Sequence, residues 1–164
     1  MKTIALICSL LLLFALFGMA YALDLQDYAV PQQKEIPEDA YCIWQIPELD
    51  ISVPVYTHGE QETIDADDSA LLTPYGRAYR IGDHRGSGGK WYIEKIPLNT
   101  LAFMVKRDEI IRYRCFAVMR VDVLGSVFGI NGRIVTEYSS TDIICSCCAE
   151  NENERYLAFF RKVS

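Results

Sequence analysis

Beyond about residue 40 the hydrophobic positions come in short bursts separated by polar and turn-forming residues, and no burst holds a helical period long enough for an amphipathic helix. Residues 41–46 and 51–56 are rich in β-branched and aromatic side chains, and Pro47-Glu48-Leu49-Asp50 turns the chain between them, so a pair of strands is expected. The acidic pair Asp67-Asp68 ahead of Ala70-Leu71-Leu72 predicts one or two helical turns that stop before Pro74. Residues 77–82 return to strand character and deliver Asp83-His84 into a glycine-rich loop over 85–89. Residues 91–96 fit helix or strand equally, and 101–105 read as a strand. The run 110–123 is too long for one flat strand, which predicts a bend or bulge. Three glycines and Asn131 predict a loop over 125–132, followed by strands at 134–138, 142–147 and 155–163. Many short strands with turns between them predict a mainly β domain, a barrel or a sandwich with few short helices.

The start of the chain has a different pattern. Lys2, an apolar run over 4–19 and the small-x-small triplet Ala20-Tyr21-Ala22 predict a signal peptide or an N-terminal membrane anchor over residues 1–22. Residues 23–39 are polar, contain Pro31 and Pro37 and read as a spacer, leaving 40–164 as one domain. Lys2 before the apolar run, with Asp24 and Asp27 after it, directs the domain to the outer side of the membrane. The formal net charge is −6, and the sequence past the leader has no basic stripe, which removes the electrostatic case for nucleic acid or for anionic lipid. Cys8 leaves with a cleaved leader, so Cys42, Cys115, Cys145, Cys147 and Cys148 remain. An odd count in an oxidising compartment leaves at least one thiol free or paired between molecules. A Cys42 to Cys115 disulfide is compatible with the sequence, which does not fix connectivity.

The densest candidate chemistry lies between Asp142 and Arg155. An apolar run carries Cys145, Cys147 and Cys148 to its end, Glu and Asn turn the chain, and Arg155 opens the next aromatic-rich run. If the two runs are antiparallel neighbours, Cys147 and Arg155, eight positions apart, can face one pocket, where a fixed positive charge favours thiolate. The same cysteines also fit disulfide partners, metal ligands or small buried hydrophobes. His58 sits in a polar turn and reads as exposed without a role, whereas His84 ends a strand and opens the glycine-rich loop.

In order, these features resemble the sortases, cysteine transpeptidases of bacterial cell surfaces: a secretion or anchor segment, a short-strand β domain, a strand-end histidine at His84, a late strand ending Ser146-Cys147, and Arg155 opening the next strand. The family's cysteine strand commonly reads Thr-Leu-x-Thr-Cys, against Ile143-Ile144-Cys145-Ser146-Cys147 here, and its histidine normally follows glycine directly, against Gly82-Asp83-His84. That Asp-His form is similar to a variant in some sortase-like proteins of Gram-positive anaerobes, and the short cysteine-to-arginine spacing is class B-like. Ile51-Ser52-Val53-Pro54-Val55-Tyr56 and Tyr113-Arg114-Cys115 extend the resemblance. It implies a closed β-barrel in which Cys147 attacks a backbone carbonyl of a sorting signal, His84 protonates the leaving amine and Arg155 holds the developing oxyanion. The implied partners are a secreted protein with a C-terminal sorting signal and a peptidoglycan or pilin amine. No metal or organic cofactor is implied.

Two other classes compete with this reading: a sortase-fold module that binds surface peptides without catalysis, suggested by the altered cysteine motif, and a secreted metal-binding domain using Cys145, Cys147, Cys148 and His84. Strand alternation puts Cys145 and Cys147 on one face and Cys148 on the other. Cys147, near the strand end, is the expected nucleophile, with Cys148 the main alternative if the chain already turns there. Asp83, next to the histidine, is expected to be a solvated turn residue, with a role in raising the histidine pKa as the competing reading.

Overall fold

The computed structural model describes residues 35–59, 69–122, 127–132, 138–151 and 153–163. The expected leader over 1–22 and the spacer up to residue 34 lie outside the described residues, as do Asp67, Asp68 and 134–137 of two expected elements. The described residues form β1 (Cys42–Ile46), β2 (Ile51–Tyr56), β3 (Ala70–Tyr75), β4 (Ala78–Gly82), β5 (Leu101–Val105), β6 (Ile110–Asp122), β7 (Val127–Gly132), β8 (Ile143–Cys148) and β9 (Glu154–Lys162). Three single 3-10 turns, Pro47–Leu49, Ser87–Gly89 and Ile93–Lys95, are the helical elements among them.

Hydrogen bonding runs in the order β5-β1-β2-β3-β4-β8-β9-β6, and β6 pairs back with β5, which closes an eight-stranded barrel with β7 attached to β6. Closure leaves those eight strands no open edge. The length of β6 makes it possible: Ile110 to Arg114 pair with β5, and Ala117 to Val121 pair with β7. The register slips between Cys115 and Ala117 against β9 and between Val118 and Met119 against β7, the bulges expected of so long a strand.

Alternation along each strand sorts the side chains. Cys42, Trp44 and Ile46 of β1, Ile81 of β4, Tyr113 and Cys115 of β6, Ile143, Cys145 and Cys147 of β8 and Tyr156, Ala158 and Phe160 of β9 meet in one buried cluster, to which all eight barrel strands contribute; this is the barrel interior. Trp44 is fully buried there, 5.4 Å from the Tyr113 ring and edge-on to Phe160 at 5.3 Å. The opposite face carries a smaller buried cluster of Ala78, Ala117, Met119, Ile144, Leu157 and Phe159, with Tyr75, Phe116 and Tyr138 packed against it. At the start of β8 the fully buried Asp142 accepts the Ser139 N–H at 2.9 Å and pairs with Arg161 at 3.1 and 3.2 Å, so its charge is balanced where it is desolvated.

Several elements differ from expectation. The patch expected to be helical is β3, paired in parallel with β2 and antiparallel with β4; these distant ladders override the local acidic-then-apolar signal. Pro74 lies past the two-residue pairing with β2, where that ladder has ended. The glycine-rich stretch expected as a loop contains β7, because the far half of β6 offers it a partner. The ambiguous 91–96 run holds a 3-10 turn that buries Trp91, Ile93 and Ile96. Cys42 and Cys115 are separate free thiols inside the barrel, each pushed up to about 12 mainly by burial. Residues at the end of the expected spacer are already tied to the barrel: Ile36 packs on Ile43, Phe103 and Val105, and Arg107 donates to the carbonyls of Pro37 and Glu38.

Trp44→Ala empties one of the two tryptophans from the interior and should lower unfolding free energy by about 3–5 kcal/mol, read from the midpoint of a urea titration.

Candidate active site

β4 and β8 run in parallel, with Tyr79 beside Ile143 and Gly82 beside Ser146, so their ends reach the same barrel rim. The ladder continues one step further, where the Asp83 N–H donates to the Ser146 carbonyl at 3.2 Å. A Cβ on residue 82 would lie 3.3 Å from Ser146 Oγ, so glycine there leaves that hydroxyl room. Carried forward, the same register sets His84 level with Cys148, and the Cys148 Sγ is 4.0 Å from the His84 Nδ1.

Hydrogen bonds around the histidine fix its loop. Asp83 is buried, and its Oδ1 accepts the His84 N–H at 2.6 Å, so it is a local cap rather than the expected solvated turn residue. The Ser87 N–H donates to the His84 carbonyl at 3.1 Å, and the Gly86 N–H to the Trp91 carbonyl at 2.9 Å. Gly86 has φ +82°, a left-handed conformation that glycine adopts without penalty. Trp91 in turn donates its indole N–H to the Ser146 carbonyl at 3.1 Å, which ties the far side of the loop to β8.

Antiparallel pairing of β8 with β9 sets Cys148 opposite Arg155 and Cys147 opposite Tyr156. Residues directly opposite each other project to the same face, so Cys148 and Arg155 share one face, and Cys147 with Tyr156 share the other. The expectation that Cys147 and Arg155 face one pocket is therefore corrected. The two lie an even number of positions apart, and in this register only odd separations share a face. Cys147 is 2% exposed in the barrel interior with Trp91 and Ile93. Desolvation, only partly offset by a hydrogen bond from the Ile93 backbone, pushes its thiol up to about 12, so its thiolate fraction at pH 8 is on the order of 10⁻⁴. Cys145 is fully buried, and the same desolvation pushes its thiol well above its ordinary value. Cys148 is half-buried, with His84 exposed beside it on the β4 side and Arg155 exposed on the β9 side.

Sequence reasoning missed a group next to this rim. The Arg85 guanidinium donates to Glu94 Oε1 from Nε at 2.9 Å and from Nη2 at 2.6 Å, and its Nη2 lies 3.0 Å from Glu150 Oε1. It sits over the rings of Tyr92 and Tyr156 at 5.5 and 5.9 Å, and the Tyr156 hydroxyl donates to Glu150 Oε2 at 2.7 Å. The signal that points to Arg85 in the sequence is its adjacency to His84. His58 is exposed in the turn after β2.

Among the described residues no three His, Cys, Asp or Glu side chains converge as a metal site, and β8 turns Cys148 away from Cys145 and Cys147. Among the same residues no helix is long and apolar enough to cross a membrane.

A closed eight-stranded barrel carrying a cysteine between a histidine and an arginine at one rim is the arrangement this chain presents. Its fold is the sortase fold. Sortase E1 from Streptomyces coelicolor, solved with a tripeptide in the active site, superposes with a TM-score of 0.61 at 15% identity, covering 80% of this chain and 92% of that one. Sortase C-3 from Streptococcus pneumoniae gives 0.58 at 19% identity over 81% and 67% of the two chains. A lid mutant of sortase A from Corynebacterium diphtheriae gives 0.57 at 16% identity over 82% and 74%. No family model and no curated protein matches the sequence, so the likeness is one of fold.

Among the five cysteines of the described residues, brief treatment of the folded, reduced protein with iodoacetamide should label Cys148 alone, with Cys42, Cys115, Cys145 and Cys147 labelled only after denaturation; peptide mass spectrometry reads the sites.

Proposed function

We propose that the chain is a sortase-like cysteine transpeptidase acting outside the cytoplasm, with Cys148 rather than Cys147 as the nucleophile and with His84 and Arg155 as its partners. The observation that carries this reading is the placement of Cys148 within 4.0 Å of His84 and directly opposite Arg155 on one exposed face.

The chemistry follows from the side chains. The Cys148 thiolate attacks a backbone carbonyl of a bound peptide, and the imidazolium of His84 donates its proton to the departing amine, leaving a thioacyl enzyme. Arg155 is always charged and presents a planar fork of donors, which suits it to hold the carbonyl oxygen as negative charge develops there. An incoming amine, or water in its absence, attacks the thioester, and His84 accepts its proton, so Cys148 leaves as thiolate and the starting protonation state is regained. The substrate class under this reading is a secreted protein with a C-terminal sorting signal, and the acceptor is an amine of peptidoglycan or of a pilin. The apolar run and Ala20-Tyr21-Ala22 near the start of the chain support export, with the segment removed or retained as an anchor.

The test is capture of a thioacyl adduct from a library of sorting-signal peptides, with hydroxylamine as the alternative acceptor. Cys148→Ala should abolish the adduct, and Cys147→Ala should retain it. His84→Ala and Arg155→Ala should each lower its rate of formation by roughly a hundredfold or more. A reduced, folded Cys148 inert to every peptide and to thiol-reactive mimics would instead make the chain a silent peptide-binding module on the same fold.

A further inference from the structure

The proposed chemistry needs an imidazole and a thiol held at a fixed separation, yet they belong to different connections. His84 lies on the loop after β4, and Cys148 leads into the turn before β9. The backbone ladder between them reaches as far as the bond from the Asp83 N–H to the Ser146 carbonyl. Beyond that point the Arg85 group also links the loops. Arg85 follows His84 directly; Glu150 follows Cys148 by two positions. Their side chains meet at 3.0 Å, and the same guanidinium is held from behind by Glu94 at 2.6 and 2.9 Å. Glu150 is fixed a second time by the Tyr156 hydroxyl, and Tyr156 is the cross-strand partner of Cys147. Tyr92 and Tyr156 flank the guanidinium, and Lys95 covers the Tyr92 ring at 3.9 Å.

From this geometry we infer that Arg85 is a positioning residue: its guanidinium, bonded to Glu94 on one side and Glu150 on the other, ties the His84 loop to the turn after Cys148 and so sets the histidine-to-cysteine separation. The inference rests on the proposed roles of His84 and Cys148 and deepens them, since Arg85 acts on the reaction through the histidine. A planar guanidinium can bridge two carboxylates while lying between two rings; an ammonium is a point charge without that fork. Each contact taken singly is a partly exposed ion pair of small worth to stability. The effect to look for is therefore in placement.

The experiment uses the full chain and reads the second-order rate of Cys148 alkylation by iodoacetamide against pH, together with kcat and KM for thioacyl formation. Wild type, Arg85→Met, Arg85→Lys and Glu150→Ala are compared, each with and without His84→Ala. The expected result for Arg85→Met is an unchanged circular dichroism spectrum and an alkylation rate at neutral pH lower by roughly ten- to a hundredfold, with kcat falling and KM held. Adding His84→Ala to Arg85→Met should then change little, because the histidine is already misplaced. Arg85→Lys should fall between Arg85→Met and wild type. If Arg85→Met does not fold, Glu150→Ala cuts the same tie from the other side, leaves the bonds to Glu94 in place and should show the same loss of histidine dependence. A folded Arg85→Met or Glu150→Ala protein with the wild-type alkylation profile and full His84 dependence overturns the inference. Alkylation that depends on both His84 and Arg85, with no thioacyl adduct from any peptide, upholds the positioning and overturns transpeptidation instead.

Discussion

The parallel pairing of β4 with β8 is the constraint on which the rim is built. Two strands running the same way end at the same level, and each residue added past the pairing on one has a counterpart on the other. A histidine and a cysteine 64 positions apart in sequence thereby become neighbours, held by backbone hydrogen bonds as far as Ser146. A one-residue insertion inside either strand would shift one partner by about 3.3 Å and turn it to the other face. Insertions between β5 and β6 would leave that register untouched. Arg155 depends on a second register, that of β8 with β9, and this one is set by the turn between them, closed by the Ala149 N–H donating to the Glu154 carbonyl.

Desolvation sorts the five chemically identical thiols of the described residues into two kinds. Cys42, Cys115, Cys145 and Cys147 point into the barrel, where the charged form is penalised and all four are raised well above the ordinary thiol range. They serve as small hydrophobes among Trp44, Trp91 and Phe160. Cys148 is one position further along β8, and the pleat turns it out of the barrel to a rim bearing an imidazole and a guanidinium. Chemical inertness and candidate reactivity are thus separated by a single peptide unit. Closure of the barrel supports the distinction, because an interior without an open seam keeps water from the four buried sulfurs.

Much of this was legible in the sequence. The barrel class followed from short β-rich runs without long amphipathic helices, and the bulge followed from the length of the 110–123 run. His84 and Arg155 stand out in the sequence because each lies where a run of strand character ends or begins. β3 and β7 could not, since both depend on ladders with strands distant in the chain, and the acidic pair before Ala70 and the glycines around Ile130 speak only for local preference. Choosing between Cys147 and Cys148 needed the parity of the β8–β9 register, and parity is fixed by how many residues the turn absorbs. Alternation alone separated the two faces without saying which one looked out. Arg85 was hidden for a related reason, as Glu94 and Glu150 reach it from different connections.

The bond from the Trp91 indole to the Ser146 carbonyl has an optical consequence. The chain contains two tryptophans, and both are buried. Trp44 sits deep among rings in the barrel and reports on the interior, whereas Trp91 is bonded to β8 two residues before Cys148. Emission from that indole depends on the carbonyl dipole it faces and on the strand that carries it. With Trp44→Phe as background, the protein would hold a single indole, excitable apart from its tyrosines, beside its rim and able to follow strand displacement there without an attached dye.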